Sequence, residues 1–584
     1  LIILRIPKVE LTVLELMLNF KLSIMEKILK LTLIASLFLI FNCSDEYLDL
    51  QPETDWNVEN FYKNETEVKI ALSGMYSMLA SNNLLGDNLI MMDSGTDESY
   101  AARAWIEDSP VNLYTHNGST RDIELAYRSL YNLINLTNLF IEQLNPSTFE
   151  NSVYESYIGE AKFLRGLSYY YLTIWWNEVP LRTTPVVDQN SNHVAPSSVE
   201  TIYDQIISDL NHALESLPLV SDANYEVGRA NAMAAHGLLA KIYLKMAGFP
   251  LNTSDYKGEN PYVKAAAHCK IIMDSGEHAL NASYRDHFLN YIQNTFDTQE
   301  TIFEIMFHDN TDLGVVTQGS IGTKNGLAFN NYIEINHPIA RYEVLPSPIL
   351  ESISEPEDLR PSWNIPGYFY GRGNANVASP VKRSYSLAWN YTIGKFRRWE
   401  PIYPDDIAAS NNEDPAYVLL EDTNNPNRQT TGINLPVLRY SDVLLMYAEA
   451  INATQGPTSD AVGALDLVRN RAGLDNIATA NPDAVTSQSN FFEEIVDERF
   501  RELCFEGHRK ADLIRWGLLP QKIEELELSI IYHPSYQTMI DNGSKAPAGY
   551  LRCVNNFNPA IHFSLPYPVQ EVQINNKLNQ KEGW

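Results

Sequence analysis

Two clusters of side chains in this sequence are of types that do chemistry. The first is aromatic. Ten aromatic residues fall in the 41 positions from Trp363 to Tyr403, about 24% against 11% for the whole chain. Sugar rings present apolar C–H faces that stack on indole and phenol rings, while Arg, Asn and Asp bond the hydroxyls. Trp363, Tyr368, Tyr370, Trp389 and Tyr391, with Arg372 and Asn374, supply that set. Large aromatics also fill cores, so half or more of these rings are expected inside and one or two in an exposed ligand platform. The second cluster is charged: DERFRELCFEGHRKADLIRWG, Asp497 to Gly517. His508 there could do acid–base work, but opposite charges three and four positions apart on helices form ion pairs, and scaffold is the stronger expectation. Asp93 and Asp97, in DSGTDE, could ligate calcium with loop carbonyls. No HExxH or GxSxG occurs. Gly314 and Gly319 have phosphate-loop spacing, but Ser320 and Ile321 follow where Lys and Ser/Thr belong.

A further reactive position lies near the front. Lys27 and Lys30 precede the mostly apolar run Leu31–Phe41, which has the length of a signal-peptide core and is too short to span a bilayer. Cys43 follows, then Ser44-Asp45-Glu46, so Cys43 is expected to be the mature N-terminus and to carry a lipid anchor. Phe41 and Asn42 stand where a lipoprotein signal usually has small residues, and an ordinary secretory signal cleaved elsewhere stays open. Residues 1–24 read as upstream sequence, 25–42 as the signal and 43–584 as one domain. The formal net charge of −30 disfavours nucleic acid. Cys269 and Cys504 lie in apolar helical patterns and read as buried thiols; no CxxC pair exists.

The elements that must position these groups are mainly helices. Apolar steps of three and four predict helices at Glu67–Ser81, Asp122–Leu144, Tyr157–Trp176, Ser198–Leu217, Arg229–Ala247, Tyr262–Ser275, Tyr440–Thr454, Ser459–Ala472 and Phe491–Gly507, with a last one near Pro520–Leu528. Several pair across short loops with the small-residue and Tyr pattern of degenerate tetratricopeptide repeats. From Thr295 to Pro436 helical periodicity fades and Gly, Pro, Asn and aromatics rise. Long loops with a few short strands, such as Glu300–Phe307, are expected there, and a second loop-like stretch at Asn82–Thr120.

Motifs in order along the chain resemble the SusD/RagB family of Bacteroidetes nutrient-binding lipoproteins. They are CSDEYLDL from Cys43, GEAKFLRGLSYYYL (Gly159–Leu172), VPL at Val179, LPVLRYSDVLLMYAEAIN (Leu435–Asn452), VRNRAGL (Val468–Leu474), ERFRELCFEGHRKADLIRWG (Glu498–Gly517) and the ending SLPYPVQEVQINNKLNQKEGW. The resemblance implies an all-α fold, a tetratricopeptide-like helical scaffold with a large irregular loop-rich sub-region at about 295–436. It implies a non-catalytic protein, lipid-anchored on the outer face of the outer membrane, that captures oligosaccharides for a SusC-like TonB-dependent transporter and needs no cofactor. By the same resemblance the ligand residues come from two regions, Asp97, Tyr100, Arg103 and Trp105 in the first and Trp363, Tyr368, Tyr370, Arg372, Trp389 and Tyr391 in the second. Capture of peptides or other nutrients, a glycoside hydrolase with two facing carboxylates, and an adhesin remain alternatives.

Overall fold

The structure is a computed structural model that describes residues 17–25, 27, 29, 62–101, 110–188, 190–308, 317–327, 344–372, 378–382, 391–401, 417–423, 429–543 and 547–584. The chain divides into two units, 1–61 and 62–584. In the first, residues 17–25 are helical and exposed, and Cys43 lies outside the described residues. No described helix is long and apolar enough to cross a membrane.

In the second unit, helix α1 (Glu65–Leu79) starts at Asn64. The Asn64 side chain accepts from the Glu67 amide at 3.1 Å while the Glu67 carboxylate reaches back to the Lys63 amide at 2.8 Å, a capping-box arrangement. Then follow α2 (Arg121–Gln143), α3 (Asn151–Trp176), α4 (Val199–Ser216), α5 (Ala232–Ala247) and α6 (Pro261–Ser275). From α2 to α6 each helix packs on the next in sequence, the side-by-side stacking of a helical repeat. Ser198 caps α4, accepting from the Thr201 amide at 3.3 Å, and the helix stops before Pro218. Helix α5 begins three residues later than the periodicity predicts. Asn231 accepts from the Ala234 amide and donates to the Ile302 carbonyl, both at 2.8 Å, which leaves Arg229 outside the helix to grip Glu160 at 2.6 and 2.7 Å. A Cβ at Gly237 would lie 2.0 Å from Leu438 Cδ2, so glycine lets α5 lie flat on the strand that carries Leu438.

The irregular region holds helix α7 (Tyr284–Ile292), short helix α8 (Pro348–Ser352) and two-stranded antiparallel pieces. Apart from the pair Val179–Pro180 and Pro196–Ser197 between α3 and α4, the described strands in chain order are β1 (Ser99–Ala101), β2 (Thr301–Ile305), β3 (Val344–Pro346), β4 (Tyr368–Arg372), β5 (Ala378–Lys382), β6 (Trp399–Pro401), β7 (Tyr417–Leu419) and β8 (Leu435–Arg439). β1 pairs with β3, β2 with β8, β4 with β5 and β6 with β7. The predicted strand at Glu300–Phe307 is β2, and its pairing with β8 joins the two ends of the irregular region.

Helices α9 (Tyr440–Gln455), α10 (Ser459–Arg471), α11 (Gln488–Leu503), α12 (Arg509–Arg515) and α13 (Leu519–Ile531) complete the scaffold, and α9 packs back on α6. The fold is mainly helical, as predicted. Helix α11 is shortened at its C-terminal end: it stops at Leu503, Cys504 leaves the helical conformation and Phe505 takes φ +64°. The break frees carbonyls for two cations. Lys395 Nζ donates to the Glu502 and Cys504 carbonyls at 2.8 and 2.9 Å, and Arg439 Nη2 donates to Glu502 O at 2.7 Å.

The charged cluster is buried, and most of its partners are distant in sequence. Arg360 meets Glu498 at 2.6 Å and Glu502 at 3.2 Å; Arg439 meets Glu502 at 2.6 Å and Glu506 at 2.7 Å; Lys395 meets Glu506 at 2.6 Å. Neighbour pairs such as Arg515–Asp512 are the minority. Burial pushes Glu498 and Glu506 up, but the cations around them outweigh it and hold both down to about 2. Such a network adds little net stability over an apolar core, but loss of one partner strands a buried charge. It therefore fixes where Arg360 and Lys395 of the irregular region sit on α11.

Candidate functional site

The stretch Asp93–Ala101 is clamped to the start of α12. Arg509 donates to both Asp97 oxygens at 2.9 and 2.6 Å, and all of these groups are buried. The Lys510 amide donates to Asp93 Oδ1 at 2.9 Å and Lys510 Nζ to the Met92 carbonyl at 2.7 Å. Burial pushes Lys510 down to about 8 and Asp93 up to about 6. Gly95 has φ +82°, and a Cβ there would lie 2.4 Å from the Asn112 carbonyl, so the turn that reverses the chain into β1 requires glycine. β1 then pairs with β3 in the register Ser99↔Pro346, Tyr100↔Leu345, Ala101↔Val344.

Helix α8 follows β3 directly and is where the two regions meet. Ile349 of α8 packs against the core cluster that holds Tyr100 and Leu345 and also against the one that holds Tyr391, Ile393 and Phe500. The Tyr391 hydroxyl bonds the Glu351 carboxylate of the same helix. β1 and the segment at Tyr391 therefore share one short helix, itself seated on the end of α11. In the chain, Arg103 and Trp105 follow β1 by two and four positions, and Trp389 precedes Tyr391 by two.

Four of the ten residues expected to touch ligand are buried instead. Tyr100 is 0% exposed, Tyr391 1%, Trp363 4% and Asp97 0%. Trp363 donates its indole N–H to the Lys395 carbonyl at 3.0 Å, with the Arg397 guanidinium 4.0 Å and the Arg285 guanidinium 5.5 Å from its ring. These four side chains are stem and core, without a face to offer a ligand. Burial pushes the Tyr100 hydroxyl well up, so it stays protonated. Tyr368, Tyr370 and Arg372 occupy β4, opposite Lys382, Pro380 and Ala378 of β5. Arg103, Trp105 and Trp389 lie outside the described residues. The two aspartates of the calcium expectation are held differently. Both Asp97 oxygens face Arg509, which leaves Asp93 Oδ2 as the free oxygen of the pair, and no group of three metal-ligating side chains occurs among the described residues. Cys269, Cys504 and Cys553 are buried free thiols.

Sequence reasoning missed α8, Glu351, Arg360 and Lys395, which hold the region in place. The only signal for the last two was compositional: they are cations in and beside the aromatic-rich stretch, in a chain with a dense acidic cluster at Glu493–Glu506.

Comparison with known proteins agrees with this architecture. A family model described as "SusD family" matches residues 372–584, and one described as "Starch-binding associating with outer membrane" matches residues 46–244. A SusD-like protein of Formosa agariphila is 26% identical over 571 residues, 94% of this chain and 98% of that one. The crystal structure of a SusD homologue from Bacteroides thetaiotaomicron superposes with a TM-score of 0.76 at 24% identity, covering 91% of this chain and 100% of that one. Surface glycan-binding protein A from Bacteroides thetaiotaomicron, solved in complex with laminarihexaose, has a TM-score of 0.63 at 19% identity over 88% of this chain and 99% of that one. With this architecture and both matches in order along the sequence, the chain belongs to the SusD/RagB family.

Proposed function

We propose that the protein is a surface binder of oligosaccharides, held on the outer membrane by lipid on Cys43, that passes its ligand to a TonB-dependent transporter and breaks no bond in it. The observation that carries the binding proposal is the convergence of the β1 stem and the Tyr391 segment on α8. A rigid base that brings two loop-bearing segments together is how a loop site gains preorganisation on a scaffold. The structural neighbour with bound laminarihexaose supports a glycan as the ligand class.

The stacking rings are then sought beside the stems, at Trp105 and Trp389, since Trp363, Tyr100 and Tyr391 are buried. Stacking on an aromatic, measured for bases, contributes roughly 1–3 kcal/mol per ring, so losing one weakens affinity about five- to 150-fold. The test is calorimetric titration of laminarihexaose and maltohexaose into the parent, Trp105→Ala and Trp389→Ala, with circular dichroism to check folding. Binding by the parent that falls in either variant supports the site; equal binding by both folded variants moves it elsewhere. A folded parent that binds neither these glycans nor any on an array overturns the oligosaccharide proposal. Release of reducing ends would overturn the non-catalytic one. Mass spectrometry of a lipidated Cys43 peptide tests the anchor, and co-purification from outer membranes in mild detergent tests the transporter, with the tetratricopeptide-like face as the expected contact.

A further inference from the structure

The scaffold contains a partly open cavity, away from the loop region, whose lining includes a buried lysine without a counter-ion among the described residues. Where α3, α5, β2, β8 and α12 meet, a cavity of about 60 Å³ opens, several times the ~10–15 Å³ that a single water needs. Leu238, Phe303 and Met446 give it apolar walls. The Tyr170 and Tyr171 hydroxyls and the His508 ring also line it, on half-buried residues that solvent can reach. The fourth polar group, Lys245 Nζ, reaches only the Phe249 carbonyl, at 3.5 Å, although the residue is 5% exposed.

Charge makes this cavity different from ordinary voids. Its other cations are neutralised: Lys241 pairs with Asp442, Arg499 with Asp442 at 2.8 Å and Asp512 at 2.7 Å, and Arg515 with Glu449 and with Asp512 at 2.8 Å. Lys245 has no counter-ion among the described residues. The wider concavity of the scaffold, about 890 Å³ between α1, the start of α3 and the 217–230 loop, is the opposite case. There Arg229 is paired with Glu160 and Glu226, and Lys69 with Glu65 and Glu226, so little unsatisfied charge awaits a ligand.

We infer that this cavity is a binding site for a small monocarboxylate, of the size of acetate or propionate. Its carboxylate would lie on Lys245 with the tyrosine hydroxyls as further donors, and its methyl or ethyl stem would lie against Leu238 and Phe303. A neutral ligand would leave the ammonium uncompensated in an apolar wall, which is the costly arrangement for a buried charge. A dicarboxylate would bring a second charge for which no free cation remains among the described residues. The neutral His508 ring fits the proposal: burial and the nearby Lys241 hold it down to about 4, so it adds no charge of its own.

Burial and the neighbouring Arg515 push Lys245 down to about 8, which gives the site a pH signature. Propionate, titrated calorimetrically into the purified whole protein at neutral pH, should bind saturably with a dissociation constant on the order of 1 mM, as expected for so few atoms. Affinity should fall as pH rises through about 8, where Lys245 loses its proton, and propionamide should not bind. Lys245→Met should weaken propionate binding at least about tenfold and Tyr171→Phe by a smaller factor, with laminarihexaose binding unchanged in both. No saturable binding by the folded parent would mean that the cavity holds water alone and would overturn the proposal. So would propionamide binding as well as propionate, or a folded Lys245→Met variant binding propionate like the parent. Should that variant fail to fold, the pH profile and the propionamide comparison on the parent decide the matter.

Discussion

The Asp97–Arg509 pair offers the sharpest test of how the scaffold holds the loop region. Arg509→Met keeps most of the side-chain length, including the contact over the Phe500 ring, where the guanidinium now lies 4.5 Å from the centroid. It removes both bonds to Asp97, at 2.9 and 2.6 Å, and the one to the Val496 carbonyl at 2.9 Å. Asp97 is 0% exposed, so its carboxylate would remain as a buried charge without its counter-ion. Breaking one side of such a pair costs about 3–5 kcal/mol. The cost falls first on the local segment that Asp97 belongs to, because Gly95, Thr96 and Glu98 are held by bonds within the same turn.

The expected result is local opening before global unfolding. Three amides report on the stem: those of Gly95 and Thr96, which donate to Ser99 O at 2.9 and 3.0 Å, and that of Ser347, which donates to Glu98 O at 2.9 Å. At ~1.4 kcal/mol per tenfold, their protection from hydrogen exchange should drop on the order of 10²–10³-fold, while α2–α6 keep theirs. The double variant Asp97→Leu/Arg509→Met removes both charges and should recover most of the protection, since apolar replacement of a buried pair is often neutral. If Arg509→Met alone leaves protection at these amides within about threefold of the parent, the pair does not anchor the stem and the reasoning fails.

Other outcomes follow from the same geometry. Trp363→Ala should destabilise the protein by about 3–5 kcal/mol, read by calorimetry, because the ring is 4% exposed and its N–H is bonded to Lys395; a folded variant of parental stability would return Trp363 to the list of ligand platforms. Acid should unfold the protein. Glu498, Glu506 and Asp512 are each held down to about 2 by their cations against the effect of burial, so their contribution is complete above the unfolded value of about 4.3 for Glu and 3.9 for Asp and is lost as pH falls towards 2. Burial holds His116 down to about 3 and His236, His268, His508 and His562 down to about 4, so proton uptake by the unfolded chain lowers stability as pH falls from about 6.5. Burial raises Glu304 to about 8 and Asp93 to about 6, which opposes part of this decline, so stability should fall already between about pH 6.5 and 4 and go on falling below it as the paired carboxylates protonate; an unchanged melting temperature at pH 3 would contradict the network. Finally, burial pushes the Cys504 and Cys553 thiols up to about 12 and 11 and Cys269 higher still, so none of the three should react with a disulfide reagent until the protein is denatured, and rapid labelling of any of them in the native state would show that its burial is wrong.

How much of this could be read beforehand depended on whether the deciding interaction was local. Helices α1 to α6 were legible because their signals lie within a few residues: Asn64 with Glu67, Ser198 with Thr201, Pro218 after α4. The end of α11 was not. The sequence through Cys504 and Phe505 continues the helical pattern, and the chain departs from it where Lys395 and Arg439, distant in sequence, take the carbonyls. The charged segment shows the same division. Its composition announced ion pairs, but the sequence offered only neighbours three and four positions away, whereas Glu502 is shared by Arg360, Arg439 and Arg471.

The aromatic cluster is legible as a region and illegible ring by ring. A tryptophan stacked on a sugar and a tryptophan packed in a core are the same residue with the same apolar face, and density of aromatics marks a region without saying which way each ring points. What decides is the company the ring keeps. Trp363 lies against the guanidiniums of Arg285 and Arg397 and gives its N–H to a backbone carbonyl, so its cation–π and hydrogen-bonding capacity is already satisfied by protein. Tyr391 is likewise held by Glu351. A ligand-facing ring must instead leave its face unsatisfied until the ligand arrives, and the same criterion distinguishes the cavity at Lys245 from the paired charges around it. Ligand-facing groups are therefore to be sought among the side chains that the protein leaves unpaired rather than by residue type.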